Sequence, residues 1–286
     1  MKITGQTKII GVIGDPVEHS RSPQMHNAVI HELGLDYVYV PFHVATDQIG
    51  HAVEGFKALK VVGINITLPH KKSVLPLMDK ISREAELIGA VNTMVFEDGK
   101  VEGHNTDARG FINSLNEEGV NSVRGMNVLI LGAGGASQAV VAGLAIERVA
   151  NITIANRTVE KAVNLADEIG SKTDISVKGI SLDDSRLLEC ASECDLLVST
   201  VTSGMDTSIE PVINPNWLNK DCIVCDIVYT PPETNLLKAA KKRGLKTIGG
   251  MGMLVHQGAI SFELWTGIKP SVETMRKALV QALFGD

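Results

Sequence analysis

Val128-Leu129-Ile130-Leu131 runs directly into Gly132-Ala133-Gly134-Gly135-Ala136-Ser137 and then into an apolar stretch that ends near Ile146. Strand, glycine turn and helix in that order form the setting in which a glycine pattern reads as dinucleotide-binding. Gly132 allows the tight turn and Gly134 lets the backbone approach a pyrophosphate. The helix that follows offers free N–H groups and a partial positive charge. Ser137 stands at the third position in place of glycine. The competing reading is a glycine-rich turn that holds no ligand. The end of the next strand separates the two dinucleotides: a ribose 2′-hydroxyl calls for Asp or Glu there, a 2′-phosphate for a cation. Ile152-Thr153-Ile154 ends in Ala155-Asn156-Arg157-Thr158, with no acid before Glu160. Arg157 suits an adenine face and a phosphate, Asn156 and Thr158 supply neutral hydrogen bonds, and Lys161 adds charge. The expected cofactor is NADP rather than NAD.

A second set of polar residues lies in the first half, at strand ends, where open α/β sheets bind ligands. Gly14-Asp15-Pro16-Val17-Glu18-His19-Ser20-Arg21-Ser22-Pro23-Gln24-Met25-His26-Asn27 follows the first strand, and Asn65-Ile66-Thr67-Leu68-Pro69-His70-Lys71 ends the third. Gly89-Ala90-Val91-Asn92-Thr93 opens a hairpin that Gly103-His104-Asn105-Thr106-Asp107 leaves. By residue type alone, Lys71 beside Lys72 reads as a solvated helix start and Asp107 as a helix cap. Cys190, Cys194, Cys222 and Cys225 form two close pairs. Cys222 and Cys225 would point to opposite faces of a strand, and Cys190 and Cys194 could share a helix face. No nearby His or acid completes a ligand set, so no metal is expected. The histidines are scattered; His19 and His70 lie inside these runs and are candidate cleft residues.

These groups need elements to hold them, and the hydrophobic periodicity supplies an alternation of strands and helices. Lys8 to Gly14 reads as a first strand. Ser22-Pro23 reads as an N-cap with proline at the first helical position, Met25, Val29 and Leu33 as one apolar face, and Gly34 as a stop. Tyr37 to Phe42 is a second strand. A helix over Asp47 to Lys60 places Ile49, Val53, Phe56 and Leu59 on one side. Val61 to Thr67 is a third strand, and a further helix ends near Gly89. Asn92 to Phe96, the turn Asp98-Gly99 and Lys100 to His104 make a hairpin. Asn105 to Gly110 leads into a helix that stops at Gly119. The second half has strands at Asn127–Leu131, Asn151–Ala155, Asp195–Thr200 and Cys222–Val228, and is helical beyond Gly249-Gly250.

Composition limits the function classes. At 286 residues the chain is long enough for two domains with a substantial core. A net charge of −6 argues against a nucleic-acid polyanion or an anionic membrane as the main partner. Four cysteines are too few for a disulfide scaffold, so a cytoplasmic location is expected. Met1-Lys2-Ile3-Thr4-Gly5 has no apolar stretch behind its charge, and no signal peptide is expected. Gly125 to Ile146 is long and uncharged enough to resemble a membrane span, but the glycine turn at its centre reads as a loop of a soluble α/β protein.

Taken together, the runs after the first and third strands and around the hairpin closely resemble the shikimate dehydrogenase family. Gly250-Met251-Gly252-Met253-Leu254-Val255-His256-Gln257-Gly258 and Trp265-Thr266-Gly267 fit the same family, and the resemblance spans almost the whole chain in order. It implies a two-domain α/β fold, with an N-terminal substrate domain and a Rossmann-type doubly wound dinucleotide-binding domain. It also implies reversible NADPH-dependent reduction of 3-dehydroshikimate to shikimate, on the route to aromatic amino acids. Lys71 and Asp107 match the family's catalytic pair. Lys71 would stabilise and protonate the developing alkoxide, while Asp107 would orient Lys71 and hydrogen-bond a ring hydroxyl. Ser20 and Ser22 match its carboxylate-binding serines, with Tyr229 adding a third hydroxyl. Asn65, Thr67, Asn92 and Gln257 match its hydroxyl-binding positions. On the cofactor side the resemblance adds Ile227, Gly250 and Met253 to the glycine loop and to Asn156, Arg157, Thr158 and Lys161. Ser199-Thr200-Val201-Thr202-Ser203-Gly204-Met205 departs from the family's usual Asn-Ala-Thr type sequence before Gly-Met, and no contact is drawn from it.

The alternatives are an NAD-dependent quinate/shikimate dehydrogenase and a non-catalytic NADP-binding regulator of the same fold. Arg157 argues against the first, and retention of both Lys71 and Asp107 against the second. A methylenetetrahydrofolate dehydrogenase would share only the nucleotide half. The expected partner is a small-molecule substrate, with no nucleic acid and no membrane, in a monomer or homodimer. Because Gln257 lies beyond the nucleotide half, the substrate domain is expected to be discontinuous: residues 1–108 and 251–286, around a nucleotide domain at 109–250. Hinges are expected near Asn105–Gly110 and Gly249–Gly252. Val255, Ile260 and Leu264 of one helix, and Val272, Met275, Leu279 and Leu283 of a terminal one, are expected to seek apolar partners.

Overall fold

The computed structural model describes residues 3–285; Met1 and Lys2 of the segment read for a signal peptide, and Asp286, lie outside the described residues. The chain divides into two compact units. One joins the segment up to Thr106 to the segment from Val255 onward, and the other is Asp107–Leu254.

The first unit begins with β1 (Lys8–Gly14), α1 (Ser22–Glu32) and β2 (Tyr37–His43), which lies parallel to β1. Next come α2 (Ile49–Ala58), β3 (Gly63–Ile66), the short β4 (Lys80–Ile81) and α3 (Arg83–Ile88), then β5 (Thr93–Glu97) and β6 (Lys100–His104). The strand order is β2-β1-β3-β5-β6-β4. This sheet is mixed, because β5 runs antiparallel to both β3 and β6. Asp98 and Gly99 turn that hairpin with φ of 50° and 76°, the pair of left-handed residues that a two-residue turn of matching twist requires. The antiparallel run has a consequence for chemistry. Asn65 lies opposite Thr93, and Thr93 opposite His104, so the start of β5 and the end of β6 sit beside the carboxyl end of β3.

The second unit opens with α4 (Asp107–Glu117) and continues through β7 (Asn127–Leu131), α5 (Gly135–Ile146), β8 (Asn151–Asn156), α6 (Val159–Gly170), β9 (Ser176–Ser181) and α7 (Leu187–Glu193). It then runs through β10 (Leu196–Ser199), β11 (Ile223–Asp226), α8 (Asn235–Lys242) and β12 (Thr247–Gly249). Its six strands are all parallel, in the order β12-β11-β10-β7-β8-β9. The direction of progression reverses between β7 and β10, the switch point at which such sheets bind ligands. β10 is buried along its whole length, as a strand covered on both faces should be. α9 (Met251–Thr266) leads back into the first unit, where α10 (Val272–Phe284) packs on α1.

Several local expectations are corrected. Arg21, not Ser22, holds the N-cap of α1, and no side chain caps the helix; Ser22 is already helical, its N–H held by Ser20 Oγ at 3.3 Å. Leu59 is 73% exposed, because α2 stops at Ala58 and Lys60 turns the chain with φ 54°. Lys71 and Lys72 lie in consecutive turns rather than at a helix start, with the His70 N–H bonded back to the Thr67 carbonyl. Leu264 is 38% exposed, whereas Val255, Phe262 and Trp265 carry the buried side of α9. Val272 and Leu283 are only half-buried on α10, which buries Met275 and Leu279. Periodicity does not show β4, β9 or β12; β9 has few apolar residues and buries only Ile180. The cysteines pair differently as well: Cys194 Sγ lies 3.6 Å from Cys222 Sγ, across two elements, and all four thiols are free. Among the described residues, no cluster of His, Cys, Asp and Glu is placed to hold a metal, and no helix is long and apolar enough to cross a membrane.

Candidate active site

In the first unit the polar runs converge at the carboxyl ends of β1 and β3. Ser20 is half-buried in the loop after β1 and Ser22 is buried at the first residue of α1. Asn65, on β3, is 6% exposed, and Thr67 follows it half-buried. Lys71 is half-buried in the next turn, and its carbonyl accepts the Val91 N–H at 2.8 Å, which ties that turn to the segment before β5. Asn92 is buried at the entrance to β5. Its Oδ1 accepts the Thr106 backbone N–H at 2.8 Å while its Nδ2 donates to Thr106 Oγ1 at 2.9 Å. A backbone N–H can only donate, so the orientation of the Asn92 amide is fixed. Gln257 is buried on α9, and one turn later Ser261 Oγ accepts from Asn65 Nδ2 at 3.0 Å. Trp265 Nε1 donates to the Met94 carbonyl at 3.0 Å, and its indole fills the space that a side chain at Gly63 would need. Ser20, Ser22, Asn65, Thr67, Lys71, Asn92 and Gln257 therefore belong to one unit.

The histidines in these runs have other surroundings. His19 is exposed. His70 is fully buried, with Nε2 2.7 Å from the Val44 carbonyl, and so does not line a cleft. His26 is fully buried against Tyr39, with ring centroids 4.3 Å apart and planes within 2°. Burial pushes its pKa down to about 3, so the ring is neutral near pH 7.

In the second unit Asp107 is the first residue of α4, inside the helix rather than at its cap, and it is buried. The glycine loop follows β7 at the switch point. Gly132 has φ 107°, and a Cβ there would meet Thr200 Oγ1 at 2.5 Å, so only glycine fits. A Cβ at Gly134 or Gly135 would meet nothing within 4 Å, so the outer side of the loop is open. Gly134 is the N-cap of α5 and no side chain caps that helix, which leaves its first N–H groups able to receive an anion. Ala133 and Ala136 are half-buried beside them, and Ser137 is buried. Asn156 ends β8 and donates to the Thr158 carbonyl at 2.9 Å; Arg157, Thr158 and Lys161 are exposed at the start of α6. Ile227 and Gly250 follow β11 and β12, and a Cβ at Gly250 would strike the Ile227 backbone. Met253 is half-buried on the first turn of α9, and Tyr229 is half-buried after β11. An open glycine loop, an uncapped helix and cations after β8 fit an NADP pyrophosphate and 2′-phosphate.

Sequence reasoning did not single out Tyr39, Thr93, Ser261 or Asp226. Asp226 is buried at the end of β11, where it accepts from the Val228 N–H at 3.1 Å and the Thr234 hydroxyl at 2.8 Å. Burial raises its carboxyl pKa. Its place among apolar strand residues was the available signal. Thr93 lay within a quoted run, whereas Tyr39 and Ser261 look like ordinary core positions of a strand and a helix.

Comparison with known proteins follows the same division. Residues 12–94 match the shikimate dehydrogenase substrate binding domain, residues 114–222 the shikimate / quinate 5-dehydrogenase family and residues 250–280 the shikimate 5′-dehydrogenase C-terminal domain. A shikimate dehydrogenase (NADP(+)) of Methanopyrus kandleri is 46% identical over 285 residues, covering 99% of this chain and 98% of the relative. A crystal structure of a shikimate dehydrogenase in complex with NADP+ superposes with a TM-score of 0.91 at 43% identity, covering 99% of this chain and 98% of that one. Shikimate 5-dehydrogenase from Listeria monocytogenes, in complex with shikimate and NAD, superposes with a TM-score of 0.93 at 37% identity and 98% coverage of both chains. With near-complete coverage on both sides at 46% identity, the chain belongs to the shikimate dehydrogenase family.

Proposed function

We propose that this protein is an NADP-dependent shikimate dehydrogenase, which reversibly reduces 3-dehydroshikimate to shikimate in chorismate biosynthesis. The observation that carries this reading is the similarity, over 99% of the chain, to a relative named as a shikimate dehydrogenase that uses NADP(+). Arg157 after β8, where NAD enzymes place an acid, supports the choice of cofactor.

NADPH, when bound, supplies the hydride. Gly132, Ala133, Gly134, Gly135, Ala136 and Ser137 would hold its pyrophosphate, and Asn156, Arg157, Thr158 and Lys161 its 2′-phosphate and adenine. Ile227, Gly250 and Met253 would serve the nicotinamide end. The chain's own groups do the rest. Ser20, Ser22 and Tyr229 donate hydroxyls to the substrate carboxylate, and Asn65, Thr67, Asn92 and Gln257 hydrogen-bond its ring hydroxyls. Lys71 stabilises the oxygen on which charge develops and delivers its proton. Asp107 orients Lys71 and holds a ring hydroxyl. The substrate domain is read as residues 1–108 with 251–286 and the nucleotide domain as 109–250, working in the cytoplasm as a monomer or homodimer.

The test is product identification. Purified protein incubated with 3-dehydroshikimate and NADPH should consume both and yield shikimate by NMR. Binding of NADPH without its oxidation would instead favour a non-catalytic nucleotide-binding protein.

A further inference from the structure

Tyr39 and Ser261 lie outside the binding runs, yet both are built into Asn65. The Tyr39 hydroxyl donates to Asn65 Oδ1 at 2.8 Å. Asn65 Nδ2 donates to Ser261 Oγ at 3.0 Å, Thr93 Oγ1 at 3.1 Å and the Asn92 carbonyl at 3.2 Å. A carbonyl can only accept, so it identifies which end of the Asn65 amide is nitrogen. Two N–H groups therefore face three protein acceptors, while Oδ1, with two lone pairs, receives one donor. What Asn65 has left for a ligand is acceptor capacity.

Each of the two partners is itself held firmly. The Tyr39 ring stacks flat on His26, and the Asn27 side chain bonds both backbone groups of Tyr39, at 2.9 and 3.0 Å. Burial raises the pKa of its phenol, which therefore stays protonated and remains a donor. Ser261 is fully buried on α9 and donates to the Gln257 carbonyl at 3.1 Å, one turn back. Its Oγ also lies 2.8 Å from Thr93 Oγ1 and 3.2 Å from Thr106 Oγ1. One hydroxyl thus ties Asn65 to β2, and the other links Asn65 to the turn of α9 that carries Gln257.

We propose that Tyr39 and Ser261 are positioning residues for substrate binding, which together hold the Asn65 amide as a hydrogen-bond acceptor for a ring hydroxyl and keep Gln257 in register with it. The proposal rests on the reading of Asn65 and Gln257 as substrate-binding residues. A network with a purely structural role would lower stability when cut but would leave substrate recognition intact.

The experiment compares Tyr39→Phe, Ser261→Ala, the double variant and Asn65→Ala in the full-length protein, with NADP+ and shikimate as substrates. Assays are run at a temperature where circular dichroism shows every variant folded. Tyr39→Phe keeps the ring and its stack, and Ser261→Ala keeps the helix. Each single variant should raise the KM for shikimate roughly three- to tenfold, the scale of one buried hydrogen bond, with KM for NADP+ and kcat within about twofold. The double variant should fall short of the product of the singles, because both act on one amide. Asn65→Ala should raise the KM for shikimate at least as far. If Asn65→Ala does so while Tyr39→Phe and Ser261→Ala change only the melting temperature, the positioning role is overturned and the site reading stands. If Asn65→Ala leaves KM unchanged, the site reading fails and takes this proposal with it.

Discussion

Ser137 Oγ donates a 2.7 Å hydrogen bond to the Gly132 carbonyl, so the residue that replaces the third glycine of the loop closes the turn from inside. A glycine there would allow close helix packing but could not make this bond. Ser137→Ala should therefore loosen the loop and raise the KM for NADP+ roughly three- to tenfold, with the KM for shikimate unchanged. Steady-state titration of each substrate checks this, and an unaltered KM for NADP+ would show that the bond is incidental.

Arg157→Ala should weaken NADP+ far more than NAD+. The lost contact is charge-assisted and directed at a phosphate that NAD+ does not carry. Kd values for both nucleotides, from calorimetric titration of wild type and variant, give the comparison. Equal losses would remove Arg157 from the 2′-phosphate site.

Lys71→Ala should lower kcat by about 10²–10⁴-fold, the usual contribution of a positioned acid–base group, with a modest change in shikimate affinity. A methyl group can neither give nor take the proton. Near wild-type kcat in this variant would leave Lys71 a residue of the turn after β3 and nothing more.

His26 should make the first unit sensitive to acid. Its ring is fully buried, neither ring nitrogen has a hydrogen-bond partner among the described residues, and its pKa falls from 6.5 to about 3. The unfolded chain therefore takes up a proton at higher pH than the folded chain. The stability tied to the neutral ring is complete above about pH 6.5 and is lost as pH falls toward about 3. Between pH 7.5 and 5 the loss from this one group is on the order of 1–2 kcal/mol. Urea unfolding at both pH values should show a smaller pH dependence in His26→Phe, which keeps a ring to stack on Tyr39. An equal dependence in variant and wild type would contradict the neutral-histidine account.

The glycine loop and the β8 end were legible in the sequence because their chemistry is local: turn, strand and helix follow one another within a few residues. The hairpin was legible for the same reason, through Asp98-Gly99. The surroundings of Asn65 were not, because they depend on sequence-distant partners. Tyr39 comes from β2, Thr93 and Thr106 from the two ends of a hairpin, and Ser261 from a helix about two hundred residues later. Ser22 was misread as a cap because a Ser-Pro pair fits two adjacent positions of a helix start equally well. β9 escaped because an outer strand that buries little needs no apolar run.

The protein is expected to turn over shikimate with NADP as its cofactor. The most direct measurement is kcat/KM for shikimate and for quinate, each with NADP+ and with NAD+, on one preparation. The pair of shikimate and NADP+ should give the highest value of the four, with Arg157 accounting for the cofactor preference. A higher value for quinate with NAD+, or no reduction of either nucleotide, would contradict it.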